Sequence, residues 1–319
     1  MRLFVTRRWP ADVEQALAAN HLVTLNEPDL KLDRLALVRA MLTADILCPT
    51  VSDTIDRELI ATPGATVKLI ANYGAGVDHI DLDAARAANI LVSNTPDVLT
   101  DATAELAVLL ILMASRRAGE GERELRAGLW AGWRPTHLLG QGVTGKLLGL
   151  IGFGRIGRAT AARARALGMR IAYHAPHRAA AAVEREYDAA FVGSLDELAT
   201  QADVISLHCR GGHETRHLVD ARLLARMKPS AILVNTARGT VVNERDLAAA
   251  LASGRIAAAG LDVFEREPTV DPALLALDNV VLLPHLGSAT LDTRIAMGMR
   301  VFANIEQFVA TGEVLDRVS

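Results

Sequence analysis

Short runs of leucine, isoleucine and valine alternate with alanine-rich stretches of helical period along almost the whole chain. Before residue 100 the runs at 3–6, 21–25, 46–49, 67–71 and 91–93 predict strands. The stretches 33–42, 53–60 and 81–88 predict helices, each opened by an aspartate whose side chain can cap free helix amides. Such alternation predicts a parallel sheet with helices on both faces. A long helix is predicted over 101–125, then a loop holding Trp130, Gly132, Trp133 and Pro135. The alternation then restarts with strands at 147–151, 170–173, 204–208, 232–235, 258–262 and 280–283, enough for one complete dinucleotide-binding sheet. A last helix near 291–311 carries Ile295, Met299, Phe302, Ile305 and Val309 at helical spacing and is free to pack on the first domain.

A chain of 319 residues exceeds one typical core and suggests two domains. The 34 lysines and arginines nearly balance the 37 acids, and no basic block stands out. Neither a nucleic acid nor a membrane surface is indicated as a partner. The longest apolar run, 106–114, lies between Glu105 and Arg116 and is less than half a membrane span. A helix apolar nearly all round is covered in a core or between subunits. Cys48 and Cys209 sit in apolar surroundings without a CxxC pair, and no signal-peptide pattern opens the chain. Free thiols in a reducing cytoplasm are the expectation, with no metal site.

Gly152-Phe153-Gly154-Arg155-Ile156-Gly157 matches GxGxxG. The pattern is weak alone, but here it follows a predicted strand and opens a predicted helix. The first two glycines permit a tight turn and close approach of a pyrophosphate, the third lets helix pack on strand, and the helix start offers free N–H groups. A second strand in such folds usually ends in an acid that accepts from the ribose 2′-hydroxyl. This chain has His174 there, followed by Ala175, Pro176, His177 and Arg178. The missing carboxylate removes a repulsion against a 2′-phosphate, and His174, His177 and Arg178 can attract one. NADP(H) is the expected preference, with NAD(H) still accepted; as solvated loop residues they would contribute nothing.

Several separate motifs then occur in one order: Asn72-Tyr73-Gly74-Ala75-Gly76-Val77-Asp78, Asn94-Thr95-Pro96-Asp97-Val98-Leu99-Thr100, the loop glycines, Asn235-Thr236-Ala237-Arg238-Gly239, Gly260-Leu261-Asp262-Val263-Phe264 with Glu267-Pro268, and Pro284-His285-Leu286-Gly287-Ser288. By these motifs the chain from about residue 45 resembles the D-isomer-specific 2-hydroxyacid dehydrogenases, nearest to glyoxylate/hydroxypyruvate reductases. The resemblance implies two Rossmann-like α/β domains. A doubly wound cofactor domain (100–286) is inserted in a flavodoxin-like substrate domain (1–99 and 287–319). It implies Arg238, Glu267 and His285 as the catalytic set. Histidine is a suitable proton donor near neutral pH, a carboxylate beside it favours the imidazolium, and arginine offers a planar fork to a carboxylate. Ala75, Gly76, Arg238, Ser288 and Trp133 are implied at the substrate. Val77, Thr103, the loop residues 152–157, His174, Arg178, His208, Cys209, Thr215, Thr236, Ala237, Asp262, His285 and Gly287 are implied at the cofactor.

One departure is Arg210-Gly211-Gly212 after His208-Cys209, where the family often has proline and leucine. The implied activity is NAD(P)H-dependent reduction of a small 2-oxo acid, glyoxylate or hydroxypyruvate. A sugar-acid reductase acting on 2-ketogluconate stays open, as does a non-enzymatic, corepressor-like dinucleotide sensor. The apolar helix with Trp130 and Trp133 predicts a homodimer.

Overall fold

The computed structural model describes residues 1–318 and divides the chain into two compact units, Met1–Leu99 with the segment from Ser288 onward, and Thr100–Gly287. Gly287, expected in the first domain, groups with the second; Ser319, the end of the expected segment, lies outside the described residues.

The first unit holds strands β1 (Arg2–Val5), β2 (Leu22–Leu25), β3 (Ile46–Cys48), β4 (Leu69–Ala71) and β5 (Leu91–Ser93), in one parallel sheet of order β2-β1-β3-β4-β5. This is the flavodoxin-like order. Asp33 and Asp81 cap the helices Arg34–Thr43 and Leu82–Ala87 as expected. The helix expected from Asp53 starts only at Arg57, capped by Asp56. Asp53 is turned inward, where its carboxylate accepts from the Thr6 hydroxyl at 2.5 Å and the Thr50 amide at 2.8 Å. The last helix, Leu291–Thr311, packs Met297, Val301 and Ile305 into one core with Leu3, Val5, Trp9 and Val13. Gly298 has no room for a side chain, since a Cβ would lie 2.6 Å from Val13.

In the second unit, seven parallel strands rather than six form the sheet: β6 (Leu147–Ile151), β7 (Arg170–His174), β8 (Ala189–Phe191), β9 (Val204–Leu207), β10 (Ile232–Asn235), β11 (Ala258–Leu261) and β12 (Val280–Leu282). The order is β12-β11-β10-β9-β6-β7-β8. Chain direction across the sheet reverses between β6 and β9, and in open sheets of this kind ligands bind beyond the carboxyl ends of the strands at that switch point. The single long helix expected over 101–125 is two helices, Thr100–Ser115 and Ala118–Arg126, broken at Arg117 with φ 53°. The first is the apolar one, with Ala107, Leu110, Ile111 and Ala114 buried. Leu110 lies against the β11 backbone, where a Cβ on Gly260 would meet it at 3.0 Å. Among the described residues no helix is long and apolar enough to cross a membrane.

Candidate active site

Three neighbouring strands, β10, β11 and β12, each run out at their carboxyl ends into a loop carrying one member of the expected catalytic set. After β10 the buried Asn235 shapes the turn: its side chain accepts from the Ala237 amide at 3.0 Å and donates to the Arg238 carbonyl at 2.9 Å. Gly239 then lies flat against the loop after β11. A Cβ there would stand 1.8 Å from the Phe264 carbonyl carbon and 2.3 Å from the Glu265 nitrogen. The Arg238 turn and the Glu267 loop therefore touch backbone to backbone. One Arg238 guanidinium N–H donates to the Ala237 carbonyl at 2.9 Å.

Glu267 precedes a cis peptide bond to Pro268. One of its oxygens accepts from the Phe264 amide at 3.0 Å, and the other faces His285 Nδ1 at 2.8 Å. Burial favours the neutral acid. The hydrogen bond from His285 and its charge outweigh that and hold the Glu267 carboxyl below its ordinary range. Glu267 is thus ionised at neutral pH, and an anion hydrogen-bonded to imidazole favours the imidazolium and orients the ring. With Nδ1 committed to Glu267, Nε2 is the nitrogen left to exchange a proton with a ligand.

His285 itself stands in the left-handed region at φ 56°, uncommon for a residue with a side chain. Asp262, 1% exposed, holds it there. The Asp262 carbonyl accepts from the His285 amide at 2.9 Å, and its carboxylate oxygens accept from Leu286 and Gly287 amides at 2.6 and 2.8 Å. Burial raises the Asp262 pKa. Thr103 closes the loop by donating to the Gly287 carbonyl at 3.0 Å. Both residues, expected at the cofactor, have their hydrogen bonds in the loop that carries His285.

The glycine loop lies at the switch point. Gly152 takes φ 94°, and a Cβ on it would come within 2.7 Å of the His208–Cys209 backbone. A Cβ on Gly157 would meet the Gly152 carbonyl at 2.5 Å. Nothing lies within 4 Å of a Cβ position on Gly154, which caps the helix Arg155–Ala166. Two glycines are required by crowding and the third faces open space, as a pyrophosphate at a helix start needs. The residues fit a dinucleotide.

Other residues expected at the cofactor have side-chain partners within the protein. Phe153 points its ring into the core, stacked on Tyr173 at 4.2 Å, so only its backbone can face a phosphate. The His208 ring is also turned inward: Nε2 is 2.9 Å from the Ser206 hydroxyl, Nδ1 is buried without a partner among the described residues, and burial pushes its pKa down to about 4. Burial pushes the Cys209 thiol up to about 11. Thr215 uses its hydroxyl on the Arg210 and Gly212 carbonyls. Thr236, by contrast, keeps a buried hydroxyl without a partner among the described residues. Arg178 is held by both oxygens of Glu184 at 2.9 Å, and the same carboxylate accepts from the Tyr173 hydroxyl at 2.7 Å.

In the first unit, Ala75, Gly76 and Val77 form a half-buried turn beyond β4. The fully buried Asn72 donates to the Gly74 and Gly76 carbonyls at 3.0 and 2.9 Å, and Asn94 donates to the Ala75 carbonyl at 2.7 Å. These bonds hold the turn's carbonyls from within. The Ser288 carbonyl accepts from Arg294 at 3.1 Å. The motifs contain Asn72, Asn235 and Gly239 but gave them no role, and Glu184 carried no signal. An asparagine two residues before a turn is a readable signal for the first two.

A family model described as D-isomer specific 2-hydroxyacid dehydrogenase, NAD binding domain, matches residues 108–287. The chain belongs to the D-isomer-specific 2-hydroxyacid dehydrogenases. The matched span of this dehydrogenase contains the glycine loop, Arg238, Glu267 and His285. It is 42% identical to a glyoxylate reductase of Thermococcus litoralis, covering 98% of this chain and 95% of that one. It is 41% identical to the human glyoxylate reductase/hydroxypyruvate reductase, covering 96% and 94%. An NADPH-dependent glyoxylate/hydroxypyruvate reductase from Sinorhizobium meliloti, in complex with NADP and malonate, superposes with a TM-score of 0.87 at 34% identity, covering 100% of this chain and 96% of that one.

Proposed function

We propose that this dehydrogenase reduces glyoxylate or hydroxypyruvate to the 2-hydroxy acid with His285 as general acid. The observation that carries the reading is the His285–Glu267 pair beside Arg238 on three adjacent strand ends. A bound nicotinamide dinucleotide supplies the hydride. His285 Nε2 then gives its proton to the carbonyl oxygen as negative charge builds there, and Glu267 stabilises the imidazolium beforehand. Arg238 offers its fork to the substrate carboxylate and polarises the carbonyl. By the family resemblance Ala75, Gly76 and Ser288 are also substrate residues. NADP(H) is preferred and NAD(H) accepted; the absence of an acid at the end of β7 supports this, as does the NADP held by one structural relative.

The test is kcat/KM for glyoxylate, hydroxypyruvate and 2-ketogluconate with NADPH and with NADH. Glyoxylate and hydroxypyruvate should be the better substrates. Dinucleotide binding without turnover of any 2-oxo acid would instead mark a sensor. Arg238→Ala should raise KM and lower kcat together, because the residue both binds and polarises the substrate. A rise in KM alone would remove polarisation from its role.

The working form is a homodimer. Leu129, Trp130 and Trp133 are exposed, Trp133 at 81%, and an apolar cluster of this kind marks an interaction surface. A twofold contact covers it in both copies at once. Light scattering at micromolar concentration should give twice 34.1 kDa; a monomer mass rejects the assembly.

A further inference from the structure

His174 ends β7 where dinucleotide folds commonly place the carboxylate that accepts from the ribose 2′-hydroxyl. Its Nδ1 lies 2.9 Å from the Val192 carbonyl, and its ring stacks on Phe191 with an interplanar angle of 17°. A carbonyl oxygen only accepts, so Nδ1 carries the hydrogen. The neutral ring therefore presents Nε2 as a bare lone pair, and the protonated ring presents an N–H at the same point.

The charged groups around it do not settle cofactor choice for it. From the following helix, Ala181–Tyr187, Glu184 faces this end of the strand; both its oxygens hold Arg178, whose guanidinium also lies 5.8 Å over the Phe191 ring. The bond from Arg178, and then that from Tyr173, hold the Glu184 carboxyl below its ordinary range, so it is charged and offsets the arginine. β8 brings Phe191, the residue after it brings the Val192 carbonyl, and the end of β7 itself adds Tyr173, buried, and His177, exposed.

We infer that His174 selects the cofactor by its protonation. The neutral ring accepts from the 2′-hydroxyl of NAD(H), doing the work of the missing carboxylate, and the imidazolium donates to the 2′-phosphate of NADP(H). This rests on the dinucleotide reading above and deepens it: the NADP(H) preference is a property of the protonated ring.

The test is direct binding of NADPH and NADH to the ligand-free protein, followed by nicotinamide fluorescence between pH 6 and 8.5. In the wild type the preference for NADPH should grow by about tenfold toward the acid end, the gain from one charge-assisted hydrogen bond. Protonation of the 2′-phosphate itself weakens NADPH binding toward acid, the opposite sign. His174→Asn, which cannot titrate, should therefore show a flat or falling preference, and His174→Asp should favour NADH throughout. Nitrogen NMR should place the neutral ring's hydrogen on Nδ1. A wild-type ratio that is flat, or that tracks His174→Asn, overturns the proposal, as does a hydrogen on Nε2. Failure of both dinucleotides to bind at every pH overturns the dehydrogenase reading itself, and this proposal with it.

Discussion

Replacing His285 by alanine should lower kcat for glyoxylate by roughly 100-fold or more, the usual worth of a positioned general acid. The variant should keep its fold, because what sets the loop at this position is backbone: the His285 amide on the Asp262 carbonyl and the Leu286 and Gly287 amides on the Asp262 carboxylate. Dinucleotide affinity should change little, so the loss belongs to chemistry. Glu267→Gln should act through the same ring in a graded way. With no anion at 2.8 Å from Nδ1 the ring loses the charge that orients it, so kcat should fall, though less than in His285→Ala. Near-wild-type kcat in folded His285→Ala would remove the residue from the mechanism.

Gly239→Ala should damage both stability and turnover, although Gly239 takes no part in the chemistry. Its backbone does not need glycine for its dihedral angles; it needs the space. An added Cβ would stand 1.8 Å from the Phe264 carbonyl carbon and 2.0 Å from its oxygen, and backbone cannot yield as a side chain end would. Overpacking against a rigid neighbour costs up to about 3 kcal/mol or more. In a domain of this size that lowers Tm by about 6–12 °C. Relief requires the Arg238 turn and the Glu267 loop to part, and a misplacement of about 1 Å in a site of this kind can cost about 100-fold in rate. Calorimetry with steady-state kinetics on one preparation checks both. A Tm and kcat within error of the wild type would show that the two loops separate freely.

Much of this was legible in the chain because strongly apolar runs admit one reading. The strands 147–151 and 232–235 and the helix 291–311 appear where periodicity placed them. β8 was missed because Ala189–Phe191 is three residues at a sheet edge, too short for a period. The break at Arg117 was not placed although Gly119 and Gly121 weaken helix propensity just beyond it: both glycines fall inside the second helix rather than at the break, and propensity has no term for tertiary crowding. That crowding is specific: Gly140 packs so closely on the Ser115 carbonyl that a Cβ would lie 2.3 Å from it. Asp53 carried a cap signal but is claimed by Thr6, distant in sequence. At the site, motif order located Arg238, Glu267 and His285. Which way a side chain turns was invisible: Phe153 and His208 inward, Arg178 to Glu184.

The sheet order β12-β11-β10-β9-β6-β7-β8 sets the strands that lead to Arg238, Glu267 and His285 at one side and His174 on a strand at the other. At about 4.8 Å per strand, β7 stands about 14 Å from β10 and about 24 Å from β12. Substitutions so far apart, with no shared partner, are expected to add in free energy. A lineage carrying this sheet can exchange one electron carrier for another by changes near β7 and leave the acid, the anion and the fork untouched. The two choices are inherited separately, and each can drift while selection holds the other.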